Sequence, residues 1–234
     1  MITILIADDN AVFNLSLSSF LTKEKDIKIV DMCLDGKTAL VSYLKNKPDI
    51  LILDLDMPSL NGLQILDYLN EFDEGKQMNN IIVVSGNTKL LRKLSLLSKV
   101  YCVLNKPCEF SEILAKIQEI KKYSTYMDAL KLSIFNYMQK FNFNMNSIGT
   151  IYLSEMILLN YTTNNSSSLK TLIHKVALKN NTNYSTVKSA IYHAVDSMNR
   201  FVNIENLEKN DSKYFKSKKI TANDVITFSK KELL

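Results

Sequence analysis

The sequence predicts two units of different class: a doubly wound parallel α/β domain over residues 1–121 and an all-helical domain over 129–234, with 122–128 as a linker. Three observations carry this. Short apolar runs recur through the first half, and each ends in a polar residue. Segments of helical spacing lie between those runs. Beyond residue 122 the β-branched runs nearly vanish and only helical periodicity remains.

Taken in order, strands are expected to start near Thr3, Ile27, Ile50, Ile81 and Val100. Those at Thr3, Ile50, Ile81 and Val100 are short apolar runs, as expected of four buried parallel strands, and the intervening helices imply a sheet covered on both faces. Helices fill 11–22, 37–45, 61–71 and 89–97, and a last one over 109–121 follows strand five. Alternating strand and helix means right-handed crossovers and a parallel sheet, with ligands at the carboxyl ends of the strands. Lys121-Lys122-Tyr123-Ser124-Thr125 reads as a polar connector. Helices then follow over 127–141, 149–160, 169–179, 184–200 and 222–231, with polar loops at 162–168 and 208–219.

Charge divides the same way. Residues 1–122 hold 15 Lys/Arg against 16 Asp/Glu, whereas 123–234 hold 14 against 8. A mildly acidic half joined to a basic one fits a regulatory domain tethered to one that meets a polyanion. No apolar stretch approaches the roughly 18 residues of a membrane span, and no export signal is visible at the start. The three cysteines show no metal-ligand spacing, so reduced thiols and a cytoplasmic location are expected.

The ends of the apolar runs carry the chemistry. Asp8-Asp9 closes the first, Asp54 the third and Ser85 the fourth, and Lys106-Pro107 follows the fifth. Three carboxylates, a hydroxyl and an ammonium at one sheet edge suit an acidic magnesium pocket that accepts a phosphoryl group on Asp54. Magnesium takes oxygen ligands and keeps several waters, so two or three carboxylates hold it. Lys106 can pair with Asp54 or the phosphoryl oxygens, and Ser85 can donate to them. For any single residue a cap or strand terminus explains as much; the four in this order are hard to explain that way.

Together, Asp8-Asp9-Asn10, Asp35-Gly36-Lys37-Thr38-Ala39-Leu40, Leu53-Asp54-Leu55-Asp56-Met57-Pro58 with Gly62, Ser85-Gly86 and Lys106-Pro107 resemble the receiver domain of bacterial two-component response regulators, over roughly residues 1–121. The resemblance implies a flavodoxin-like five-stranded fold with Asp54 as phosphoacceptor. It implies Asp9, Asp54 and the backbone carbonyl of Asp56 as direct Mg2+ ligands, Asp8 acting through water, and Ser85 and Lys106 as phosphoryl contacts. It also implies a cis bond before Pro107 and a histidine kinase or phosphotransfer protein as partner. Val103 stands where such domains carry the aromatic switch residue. Tyr101, two residues earlier on the same expected strand face, is the candidate substitute.

In the second half Val187, Ala190, Ile191, Ala194, Val195 and Met198 form one apolar helix face, and Asn183 is a good N-cap. An amphipathic segment precedes it across a short polar turn, so the pair reads as helix-turn-helix. The exposed side would present Ser185, Thr186, Lys188, Ser189, Tyr192 and His193 to double-stranded DNA. His174 and His193 lie on different helices without a cysteine, which gives no zinc site.

Gly149–Leu153, 177–194 and the 221–226 tail resemble the DNA-binding domain of the master transcription factors of endospore formation, over most of 130–234. The reading helix lacks that family's arginines, as in a divergent paralogue. The resemblance implies a non-enzymatic, phosphorylation-regulated transcription factor that pairs into a homodimer when phosphorylated. The alternative is a receiver-based interaction or phosphotransfer module whose output no longer reads DNA.

Overall fold

The computed structural model describes residues 1–72, 80–86, 100–163, 167–200 and 219–233. The helix expected over 89–97 lies outside them, as do most of the 208–219 loop and the middle of the 162–168 loop. The chain divides into two compact units, Met1–Ser124 and Thr125–Leu234.

In the first unit, β1 (Ile2–Ala7), β2 (Ile27–Cys33), β3 (Ile50–Leu53), β4 (Ile81–Ser85) and β5 (Val100–Asn105) form one parallel sheet ordered β2-β1-β3-β4-β5. Strict alternation sorts the side chains. Leu5, Ala7, Leu51, Leu53, Ile81 and Val83 share one core with Ala39 of α2 (Gly36–Asn46) and Ile65, Leu66 and Leu69 of α3 (Gly62–Phe72). Ile4, Ile6, Ile50, Ile52, Ile82 and Val84 form the other, against Leu17 and Leu21 of α1 (Ala11–Leu21) and Ile113, Ile117 and Ile120 of α4 (Phe110–Lys140). Helices therefore cover both faces, and each fully buried Leu or Ile contributes about 1.5–3 kcal/mol. Polar side chains set the helix starts: Asn10 Oδ1 accepts from the amides of Val12 and Phe13, and Asp35 Oδ1 from those of Lys37 and Thr38.

Two expectations are corrected. Residues 122–128, read as a linker, are helical, because α4 runs unbroken from Phe110 to Lys140. Lys121-Lys122-Tyr123-Ser124-Thr125 is polar, but no glycine or proline occurs between 109 and 140 to stop propagation. The chain leaves the helical conformation only at Asn142, in the left-handed region with φ 56°. The second correction concerns Tyr101. A register shift between Ile81 and Ile82 places Val100 opposite Ile81 and Cys102 opposite Ile82. This bulge at Tyr101 breaks the alternation that would have put it on the face of Val103.

In the second unit, the end of α4 packs with α5 (Ile148–Thr162), α6 (Leu169–Lys179), α7 (Tyr184–Asn199) and α8 (Ala222–Glu232) around Met138, Leu153, Met156, Val176, Val187 and Phe228. Ser147, Ser168, Asn183 and Thr221 cap α5 to α8, the last in a reciprocal capping box with Asp224. Tyr137 and Tyr161 donate their hydroxyls to the carbonyls of Val225 and Ser229, tying α8 to its neighbours. No helix among the described residues is long and apolar enough to cross a membrane.

Gly149 sets the approach of α5 to α7. A methyl group there would sit 2.0 Å from the carbonyl oxygen of Ala190 and 2.9 Å from Ala194 Cβ. Gly149→Ala should therefore destabilise the second unit by roughly 1–3 kcal/mol, through overpacking against backbone. A urea titration followed by circular dichroism would show a lowered midpoint; an unchanged midpoint would mean that the two helices do not meet this closely.

Candidate functional site

Parallel pairing brings the acidic residues together. β1 and β3 are neighbours with Ala7 opposite Leu53, so the residues that follow, Asp8 and Asp54, emerge side by side. The amide of Asp54 donates to the Ala7 carbonyl at 2.8 Å, which locks the two strand ends in register. One carboxylate oxygen each from Asp8, Asp9 and Asp54 lies within 4.8 Å of the others. Asp8 and Asp54 are 1% and 4% exposed, while Asp9 faces solvent.

The next strands add the remaining groups. Lys106, after β5, places its ammonium 2.6 Å from Asp8 Oδ2 and 3.2 Å from Asp54 Oδ1. Its amide donates to the carbonyl of Ser85, the fully buried last residue of β4, and the Lys106–Pro107 bond is cis. The amide of Asp56 donates to Asp54 Oδ2 at 3.2 Å, and that of Asn10 to Asp8 Oδ1 at 3.0 Å. The side chains of Asp8, Asp9, Asp54 and Lys106 therefore share one pocket, and Ser85 is joined to it through its backbone carbonyl. Among the described residues three carboxylates face one ammonium, so the donor set they form is rich in oxygen and short of positive charge. That composition fits a hard divalent cation.

Two residues that the sequence reading passed over, Asn14 and Phe13, help build this pocket, as does Gly62, which it named only as part of a motif. Asn14, buried in α1, donates its amide group to the carbonyls of Asp8 and Cys33, pinning the ends of β1 and β2. The Phe13 ring lies 5.0 Å from the Lys106 ammonium. Gly62 lets α3 start against the end of β3, since a Cβ there would stand 2.3 Å from the Asp54 carbonyl oxygen. A polar residue on the otherwise apolar Asn14–Leu17–Leu21 face was the available signal for the first. Tyr101 is committed elsewhere: its hydroxyl donates to Glu119 of α4 at 3.0 Å, whereas Val103 packs on the α2/α3 side of the sheet.

In the second unit, α6 and α7 are joined by a turn in which Asn181 takes φ 48° and the Thr182 amide donates to the Ala177 carbonyl. Val187, Ile191, Ala194, Val195 and Met198 are buried. Ser185, Thr186, Lys188, Ser189, Tyr192 and His193 are all exposed along α7. Ser185 and Thr186 donate their hydroxyls to the Asn183 side chain, and Lys219 reaches across the Tyr192 ring to pair with Asp196.

Burial raises the pKa of Asp54; Lys106 opposes the shift and Asp8 adds to it. Burial works against the charged form of Lys106 too, but the carboxylates of Asp8 and Asp54 outweigh it, so its pKa also rises. A raised carboxyl pKa means that the Asp54 contribution to stability is full below its unfolded value near 3.9 and is lost as pH rises through the folded value. At neutral pH ionised Asp54 is thus a destabilising charge. In metal-chelated buffer Asp54→Asn should raise the melting temperature at pH 7, and the gap should close towards pH 4. A variant that melts lower than the parent at pH 7 would contradict this.

Residues 4–118 match the family model for the response regulator receiver domain. A curated relative, the protein-glutamate methylesterase/protein-glutamine glutaminase of Archaeoglobus fulgidus, is 35% identical over 86 residues, which are 37% of this chain. The chain spans only 23% of that relative's length. Among solved structures, the receiver domain of AraT from Geobacillus stearothermophilus is 24% identical, with a TM-score of 0.47 over 53% of this chain and 96% of that one. A DNA-binding response regulator of the LuxR family from Staphylococcus aureus is 18% identical, with a TM-score of 0.46 over 51% of this chain and 98% of its own. The five-stranded doubly wound unit, with its acidic cluster at the carboxyl ends of the strands, is a response regulator receiver domain.

Proposed function

We propose that the chain is a phosphorylation-regulated, DNA-binding transcription factor with Asp54 as its phosphoacceptor. The observation that carries the reading is the meeting of Asp8, Asp9, Asp54, Ser85 and Lys106 at one sheet edge, in a domain of this family. An Asp54 oxygen attacks the phosphorus of a phosphohistidine, on a histidine kinase or a phosphotransfer protein. An O–P bond forms, the P–N bond breaks, and the imidazole keeps the electron pair. Mg2+, held by Asp9, Asp54 and the Asp56 carbonyl with Asp8 through water, would neutralise phosphoryl oxygens. Lys106, already 3.2 Å from Asp54, meets the same oxygens, and the Ser85 hydroxyl donates to another.

The output reading rests on the second unit. α7 buries one face and exposes six side chains able to reach bases or phosphates, and the unit carries the positive charge of the chain. The resemblance of 130–234 to endospore-formation regulators adds a developmental programme as the regulated process and a homodimer on paired half-sites as the active form. A phosphoryl group changes the receiver charge by nearly two units, enough to shift it between two packings. A cytoplasmic location follows from this role. The match to the methylesterase covers 86 residues and 23% of that protein, so the activity in its name does not carry over to this chain. The competing role is a receiver that passes phosphate on or binds proteins, favoured by the single formal charge, Lys188, among the six exposed residues.

Acetyl phosphate with Mg2+ should add one base-labile phosphoryl group, seen by mass spectrometry, and Asp54→Asn should take up none. Lys106→Ala should phosphorylate poorly and lose the coupling to output. Labelling that persists in Asp54→Asn would overturn the assignment.

Selection of bound DNA from random sequence, with and without phosphorylation, should recover a paired site. Lys188→Ala should then cost about 1–3 kcal/mol with relaxed preference at one position if it reads a base. If it touches phosphate alone, binding should weaken evenly and its salt dependence become shallower. Alanine at Lys188, Tyr192 and His193 with affinity unchanged throughout would remove α7 as the reading helix and favour the interaction module.

A further inference from the structure

We propose that Phe13 is a positioning residue for phosphoryl transfer, its ring holding the Lys106 ammonium over the acidic pocket. The inference deepens the Asp54 reading and rests on it. Lysine carries its charge on a flexible four-carbon stem, and Lys106 has a side chain 28% exposed. Two carboxylates pull its ammonium in different directions. The shorter contact, 2.6 Å, is to Asp8, and the longer, 3.2 Å, is to Asp54, where the phosphoryl group arrives. Electrostatics alone would therefore favour Asp8. The Phe13 ring supplies a third wall, with its centroid 5.0 Å from Nζ, inside the range of a cation–π contact.

The ring is itself held. Phe110, the first residue of α4, meets Phe13 edge-to-face at 5.6 Å and 76°, and meets Phe20 at 5.8 Å. Phe13 and Phe20 lie on α1, whereas Phe110 follows Lys106 by four residues. The three rings thus clamp α1 to the segment that carries the lysine. The start of α1 is fixed in turn by Asn10, which accepts from the amide of Phe13, and by Asn14, which grips the Asp8 carbonyl. Phe13 is in this way tied to Asp8, one partner of the ammonium, and through Phe110 to the segment that carries Lys106. None of the three rings is among the groups that the acid cluster offers to a metal.

The test uses the full chain and two readouts. In metal-free protein, the Lys106 ε-methylene protons should show a ring-current shift by NMR. Phe13→Leu should remove that shift, and Phe13→Tyr, which keeps the ring, should retain it. With acetyl phosphate and Mg2+, Phe13→Leu should lower the maximal rate of Asp54 phosphorylation by about three- to tenfold. Phe13→Tyr should stay near the parent rate, and the Mg2+ concentration giving half-maximal thermal stabilisation should be the same in all three. Should Phe13→Leu lose its fold, Phe13→Met fills a similar volume without a ring and is read the same way. A ringless variant that phosphorylates at the parent rate, a Tyr variant that falls as far as Leu, or unshifted Lys106 protons in the parent would each overturn the proposal. A parent that takes up no phosphoryl group would instead overturn the Asp54 reading, and the proposal with it.

Discussion

The first unit is organised around a repulsion. Placing Asp8 and Asp54 at the ends of adjacent parallel strands forces two buried carboxylates together, with Asp9 beside them and the Lys106 ammonium opposing them. In a low-dielectric setting this crowding is unfavourable. The rest of the fold holds it in place. Ile4–Ala7 and Ile50–Leu53 are almost fully buried, and the two cores on either side of the sheet supply the apolar burial that keeps those strands paired. A pocket held against its own charge gains from any cation or neutralising reaction, which gives a receiver something to switch. Preorganisation here is electrostatic strain maintained by hydrophobic packing.

Much of that arrangement was legible in the sequence, because a parallel sheet converts position in the chain into position in space. A polar residue that ends a short apolar run lands at the carboxyl edge whatever the intervening helices do, so Asp8, Asp54, Ser85 and Lys106 could be read as one set. What escaped reading depends on contacts that periodicity does not encode. Phe13 looks like an ordinary apolar helix residue until Lys106 and Phe110 arrive from the other end of the domain. Tyr101 was placed by strict alternation, and a single bulged residue sent its hydroxyl to Glu119 instead. Residues 121–125 looked like a connector because they are polar. Polarity marks a solvated face, however, and only a missing amide or a glycine would have stopped α4.

The position of Val103 bears on how a signal would leave the pocket. It packs against the sheet core on the α2/α3 side and offers no hydroxyl or ring that could move towards Ser85. Tyr101 sits where a change in β5 would reach α4 directly, since Glu119 takes its hydroxyl and Lys116 pairs with the same carboxylate at 2.9 Å. An exposed network of this kind is weak in water and screened by salt. Transmission through it would be softer than through a buried aromatic, and a rearrangement of Lys106 and its aromatic wall becomes the better-coupled alternative.

The chemistry of α7 constrains the output in the same way. Ser185 and Thr186 already donate to Asn183, so they would meet a ligand chiefly as acceptors. Lys219 lies over the Tyr192 ring and pairs with Asp196, leaving Lys188 as the one formal charge among the six exposed α7 residues singled out above. On the proposed reading, a helix with so few phosphate contacts releases few counterions, and its affinity per domain is modest with a shallow salt dependence. Two such domains held together bind the second half-site at a high effective concentration, which restores affinity without any new contact. On that reading a weakly charged α7 would make pairing a requirement, and pairing would be the step that phosphorylation of the receiver controls.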